Sequence, residues 1–149
     1  MLKSYLKLFL ILESGTLRLP LIDFIEEVAD AGITAVELRD KSFTERERFN
    51  TALTLAPILK KKNILFIINN SPDIAAGAGA DGVHLGSEDF PPEAVKSLFN
   101  RLLVGCSCNS VDEANTLSKF DIDYLGIGPL FPTSTKRDHR PLLGISGAK

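Results

Sequence analysis

The stretch LFIINNSPDIAAGAGADGVHL, residues 65–85, decides the fold. Leu65 to Ile68 is an unbroken apolar run, the pattern of a strand buried on both faces. Ser71 and Pro72 then open a short helix, since a proline in the first turn lacks only an N–H that would have no partner there. That helix should run through Ala78. Gly79 ends it, being the residue type that takes a left-handed cap without a Cβ clash. Gly82 to Leu85 is apolar again. Strand, single helix and strand in so short a stretch describe a parallel crossover unit.

The alternation repeats in both directions. Towards the N-terminus, Leu8 to Leu12 reads as a strand, and a helical pattern from Leu21 to Ala31 starts at Pro20. Ala35 to Leu38 is the next strand. Thr44, with Glu47 at capping-box distance, opens a helix that should run to about Lys61, with Pro57 kinking or shortening it. Towards the C-terminus, Pro91 and Pro92 open a helix to Phe99, and Leu102 to Cys106 is a strand. Ser110 caps a further helix with Glu113 at the box position. Tyr124 to Ile127 is a last strand, followed by a loop rich in proline, threonine and charge. The spacing therefore predicts about six β-α units in a single α/β domain over residues 1–149. A doubly wound sheet and a (β/α)8 TIM barrel both fit, and periodicity does not choose between them.

Bulk composition narrows the function classes. Charged residues are 24% and apolar residues 44%, with a formal net charge of −2. That balance carries no electrostatic footprint for nucleic acid or an anionic membrane. The apolar run at Leu8 to Leu12 is too short to cross a bilayer and is closed by Glu13. Cys106 and Cys108, the two cysteines, imply no disulfide framework and lack the companions of a zinc site. A reducing, cytoplasmic setting is the expectation.

The informative residues stand just past the apolar runs. Strand two leads into Glu37, Arg39 and Lys41, and strand three into Asn69 and Asn70. Ser87, Glu88 and Asp89 follow strand four. Ser107 and Asn109 follow strand five, and Thr133, Thr135 and Lys136 follow strand six. In parallel α/β folds ligands bind at the C-terminal ends of the strands. Three cations, several neutral donors and the hard oxygen ligand Asp89 suit a phosphate or pyrophosphate with Mg2+. Lys60, Lys61 and Lys62 read instead as a solvated helix end, His84 as a hydrogen-bonded core residue, and Asp40 and Glu88 as turn or rim residues.

These motifs resemble the thiamine-phosphate synthase family. Val36-Glu37-Leu38-Arg39-Asp40-Lys41 is similar to its Val-Gln-Leu-Arg-x-Lys strand, and Ile68-Asn69-Asn70 to its Ile-Asn-Asp segment. Gly79-Ala80-Asp81-Gly82-Val83-His84-Leu85-Gly86 with Glu88-Asp89 is close to its Gly-Ala-Asp-Gly-Val-His-Leu-Gly-Gln-Glu-Asp. Gly105 and Ser107 match its Gly-x-Ser, and residues 123–136 match its Asp-Tyr-x-Gly-x-Gly-Pro-x-Phe-Pro-Thr-x-Thr-Lys. The resemblance implies a TIM (β/α)8 barrel and a transferase. Its members join a pyrimidine pyrophosphate to a thiazole phosphate and release pyrophosphate, with Mg2+ as cofactor. It assigns Arg39, Lys41, Asn69, Ser107 and Lys136 to the pyrophosphate, with Arg39, Lys41 and Lys136 as the catalytic cations. Asp89 goes to the metal, and Thr133 and Thr135 to the thiazole phosphate.

The sequence departs from that pattern in three respects. Asn70 stands where the family has a second metal aspartate, and an amide is the weaker Mg2+ ligand. Glu37 replaces a glutamine at the substrate site, where its charge would either oppose the pyrophosphate or be spent on Arg39. The chain ends at Gly144-Ile145-Ser146-Gly147-Ala148-Lys149, before the last two β-α units, so the expectation is a homo-oligomer or completion of the barrel by another chain. A thiazole tautomerase is the nearest alternative, although Asn109 stands where that branch has a histidine. A non-catalytic phosphate-ligand binder or inactive remnant is the alternative from another class.

Overall fold

The structure is a computed structural model that describes residues 2–132 and 142–148. The chain divides into two compact units, residues 1–84 and 85–149.

In the first unit, helix α1 (Leu2–Tyr5) precedes strand β1 (Phe9–Leu12), and a 3-10 turn covers Ser14–Thr16. Then come α2 (Leu21–Asp30), β2 (Ala35–Leu38), α3 (Glu45–Lys61), β3 (Leu65–Asn69), α4 (Pro72–Ala78) and β4 (Gly82–Leu85), which ends at the unit boundary. β1 pairs with β2, β2 with β3 and β3 with β4, all parallel. Leu12, Leu38, Ile68 and Val83 form one register row, and none is more than 2% exposed. The adjacent row, Ile11, Glu37, Ile67 and Gly82, points to the opposite face because side chains alternate along a strand. α3 and α4 pack against β3 and bury Ala52, Leu55, Leu59, Ile74 and Ala75.

Local chemistry explains the boundaries. Thr44 and Glu47 form the reciprocal capping box, with Glu47 N donating to Thr44 Oγ1 at 3.3 Å and Thr44 N to Glu47 Oε2 at 2.8 Å. These bonds to its carboxylate hold Glu47 below the usual range. Acids in the first turn and Lys60 and Lys61 in the last complement the helix dipole. The helix runs through Pro57 to Lys61, so the expected shortening does not occur. Pro57 is exposed, as is Leu53, the residue whose carbonyl the proline cannot serve, so water reaches that turn. Gly79 ends α4 at φ 76°. Lys62 is not simply solvated: it pairs with Glu26 and, at 3.8 Å, with Asp30.

In the second unit, α5 (Pro92–Leu98), β5 (Leu103–Cys108), α6 (Val111–Leu117), β6 (Tyr124–Ile127) and the short α7 (Gly144–Gly147) follow in order. β5 pairs with β6 in parallel, with Gly105 opposite Tyr124. A Cβ on Gly105 would lie 2.0 Å from the Tyr124 ring, so that glycine has a steric reason. β5 extends to Cys108, two positions beyond the expected end, and Ser107 therefore lies within the strand. The capping box at α6 is half as expected. Glu113 N donates to Ser110 Oγ at 3.1 Å, but the Glu113 carboxylate reaches one residue further back, to Asn109 N at 2.6 Å.

Candidate active site

The first unit gathers its polar strand ends at one edge. Glu13, Arg39 and Asn69 each follow a residue of the Leu12–Leu38–Ile68 row, and Asn69 is in register with His84. Glu37 is only 4% exposed and accepts a hydrogen bond from Asn69 Nδ2 at 2.8 Å. Glu37 therefore meets an amide donor. Arg39 pairs elsewhere: its Nη1 lies 2.9 Å from Glu13 Oε1, with 19% of the arginine side chain exposed. The period-two reading thus places Glu37 and Arg39 on one face, but the ion pair forms with the neighbouring strand.

Lys41 is exposed beyond the end of β2. Asn70 is exposed, has φ 64° and donates its backbone N–H to His84 O at 2.9 Å. That left-handed backbone, tolerated best by glycine and asparagine, turns the chain out of β3. His84 is half-buried within β4. In the second unit Asp89 Oδ2 accepts the Gly86 N–H at 2.6 Å, which closes the turn after β4 and orients the carboxylate. Ser107 is half-buried in β5. Asn109 gives both its backbone N–H and its side-chain Nδ2 to Glu113, at 2.6 and 3.2 Å. Thr133, Thr135 and Lys136 lie outside the described residues.

Two residues that the strand-end pattern did not single out belong to this edge. Asp40, expected as a turn or rim residue, is 3% exposed and so does not lie at a rim. It accepts from Ser14 Oγ and, at 3.4 Å, from Gly15 N. Glu13 was visible only as the charge that closes the first apolar run. Applying the strand-end rule to β1 as well would have found it, because it stands one place past Leu12 as Arg39 stands past Leu38.

Other chemistry lies away from these residues. A cavity of about 450 Å³ opens at the N-terminal end of the strands, lined by Tyr5, Asp30, Thr34, Lys62 and Asn63 among others. It contains none of the strand-end residues named above. Cys106 and Cys108 are buried free thiols, and burial pushes Cys106 up to about 11. Among the described residues no group of three or more His, Cys, Asp or Glu is arranged to hold a metal ion. No described helix is long and apolar enough to cross a membrane.

The thiamine monophosphate synthase family matches residues 8–149. The chain belongs to that family. By that membership it is a transferase of thiamine biosynthesis. It is 36% identical to a thiamine-phosphate synthase of Pyrococcus furiosus, over 99% of this chain and 70% of that protein. It is 39% identical to one from Coprothermobacter proteolyticus, over 99% of this chain and 71% of the relative. A solved structure of a Pyrococcus furiosus thiamine phosphate pyrophosphorylase superposes with a TM-score of 0.86 at 33% identity, covering 99% of this chain and 69% of that one. This likeness resolves what periodicity left open: the fold is α/β of the TIM-barrel type, not a doubly wound sheet.

Proposed function

We propose that the chain joins a hydroxymethylpyrimidine pyrophosphate to a thiazole phosphate, with release of pyrophosphate. The observation that carries this reading is the strand edge of the first unit. There a guanidinium held by Glu13 and an amide held by Glu37 stand at the ends of adjacent parallel strands. A dissociative substitution of this kind asks little of acid-base chemistry. It asks for fixed donors where charge develops on the leaving group, and for two substrates held in line. Arg39, Lys41, Asn69, Ser107 and Lys136 are assigned to the pyrophosphate, with Arg39, Lys41 and Lys136 as the catalytic cations. Thr133 and Thr135 are assigned to the thiazole phosphate.

Glu37 has a role that its charge alone would not suggest. By accepting one Asn69 N–H it sets the rotation of that amide, leaving the other N–H and the carbonyl oxygen for ligands. Its carboxylate is thereby engaged with a donor and does not oppose the pyrophosphate bare.

Asp89 and Asn70 each carry an oxygen of the kind that Mg2+ takes. That ion binds through one or two protein oxygens plus substrate phosphates and keeps several waters, so a dense carboxylate cluster is not required. When bound it would neutralise charge on the pyrophosphate. The chain's own contribution is a carboxylate oriented by the Gly86 N–H and an amide carried on a left-handed turn.

The test is pyrophosphate release from the two substrates together. Release that needs both substrates and Mg2+ supports the synthase. Metal-independent isomerisation of the thiazole, or binding without turnover, rejects it. Asn70→Asp should tighten Mg2+ binding, and Lys136→Ala should weaken pyrophosphate more than thiazole phosphate.

A further inference from the structure

We propose that Glu13 is the positioning residue for Arg39, fixing the guanidinium so that its remaining donors meet the anion. This rests on the synthase reading of the site. The ion pair uses Arg39 Nη1 and Glu13 Oε1 at 2.9 Å. A guanidinium carries five N–H donors in a planar fork, so a single-oxygen contact leaves most of the fork for a phosphate.

What separates this pair from an ordinary surface ion pair is the framework behind it. Arg39 N donates to Leu12 O at 2.8 Å, which ties the two strand ends together. The buried Asp40 carboxylate accepts from Ser14 Oγ and Gly15 N, so the turn after β1 is anchored to the end of β2. Thr16 returns to the Glu13 carbonyl through its N–H at 3.0 Å and its hydroxyl at 2.8 Å. A Cβ at Gly15 would come within 3.0 Å of the Phe43 ring, so the turn is packed from its outer side. Both partners are therefore placed by backbone contacts before any ligand arrives. The backbone part of the ordering is thereby in place, and what the pair still orders is the two side chains, 19% exposed at Arg39 and 45% at Glu13.

The role differs from catalysis, because Glu13 touches no substrate and acts through Arg39. It also differs from competition, in which Glu13 would occupy the anion's place and its removal would tighten pyrophosphate binding.

A double-mutant cycle on the full chain tests this, using Glu13→Ala, Arg39→Ala and the pair, with kcat and KM for the pyrimidine pyrophosphate measured separately. Glu13→Ala should lower kcat by up to about a hundredfold, the size of effect expected when a fixed group is misplaced by about 1 Å. It should cause no further loss once Arg39 is alanine. Glu13→Gln keeps an acceptor oxygen and should restore most of the activity, with an unchanged melting temperature serving as the folding control. Losses that add independently overturn the proposal. So does tighter binding of inorganic pyrophosphate by Glu13→Ala at unchanged kcat. If the unmodified chain turns over no substrate, the synthase reading has failed separately. The same cycle is then read on Mg2+-pyrophosphate binding, where coupling between the two positions sustains the pair and independence rejects it.

Discussion

Asp81 and Asp123 do the same work in the two compact units. Each stands one residue before a strand, donates its N–H at 2.8 Å to a carbonyl of the preceding strand, and takes that same residue's N–H on its carboxylate. Asp81 does this with Phe66 and Asp123 with Val104. The surroundings differ. In the first unit Phe66 sits in a core to which α3 contributes Ala52, Leu55, Ala56 and Leu59, and α4 Ile74, Ala75 and Ala78. In the second, α5 buries Val95 and α6 buries none of its residues. There Asp123 takes a further contact, Lys96 Nζ at 2.7 Å. The helices of the first unit bury more apolar surface than those of the second, and at the shared aspartate device only the second unit adds a lysine.

The comparison can be broken most directly through the apolar side. Leu55→Ala, at a fully buried position, should cost about 3 kcal/mol in urea unfolding, the sum of lost transfer energy and a cavity. Val111→Ala, on α6 at 57% exposure, should stay within about 0.5 kcal/mol. Equal costs at the two sites would erase the distinction.

The two aspartates come next. Asp123→Ala leaves both the Val104 N–H and the Lys96 ammonium without their acceptor, which should cost about 2 kcal/mol. Asp81→Ala strands one backbone N–H beside an exposed side chain, at about 1 kcal/mol. Thermal unfolding of the pair of variants decides it. A greater cost at Asp81 would mean that the lysine contact adds nothing.

Cys106 sharpens the comparison from within the second unit, where it is 3% exposed. Burial raises its thiol from 9.0 to about 11, so the folded state holds the proton more tightly than the unfolded chain. The contribution is complete below about pH 9 and is lost as pH rises towards 11. By pH 10 the unmodified chain should lose about 1 kcal/mol relative to Cys106→Ala. A parallel pH dependence for the two proteins would mean that this strand is open to solvent.

Much of this was legible beforehand, and the reasons are local. β2, β4 and β6 fall where the apolar runs predict, and α4 runs from Pro72 to Ala78 as Pro72 and Gly79 dictate, although the Ser71 hydroxyl makes no cap bond. Such signals act over a few residues, so they survive without knowledge of the rest of the fold. β5 runs longer than expected because Ser107 and Asn109 look like a polar ending, whereas pairing of Ser107 and Cys108 with Gly126 and Ile127 extends the ladder. Pro57 does not shorten α3, because its cost depends on whether water reaches the turn, a property of the packed molecule. At the site, residue types at the strand tips were visible, but their partners were not. Glu37 meets Asn69 and Arg39 meets Glu13 through register between strands that are distant in sequence. Asp40 was misread for the same reason, since its partner Ser14 belongs to a turn that no periodicity announces.

The smallest effects lie at the helix starts, where the two units use the same device with different completeness. At Thr44 both halves of the capping box are present, at the head of the long α3. At Ser110 the hydroxyl caps the shorter α6, while the Glu113 carboxylate serves Asn109 instead. Thr44→Ala removes an acceptor and also frees the Glu47 carboxylate from its bond to the Thr44 hydroxyl, so it should cost about 1 kcal/mol. Ser110→Ala removes a single acceptor from a helix that buries nothing, and about 0.5 kcal/mol is expected. Hydrogen exchange at the first-turn amides of each helix separates the two. Faster exchange confined to Glu47 in one variant and to Glu113 in the other is the signature of a lost cap. Loosening that spreads from α6 into β5 would instead show that the second unit depends on its helix starts more than its burial suggests, and would widen the difference between the units.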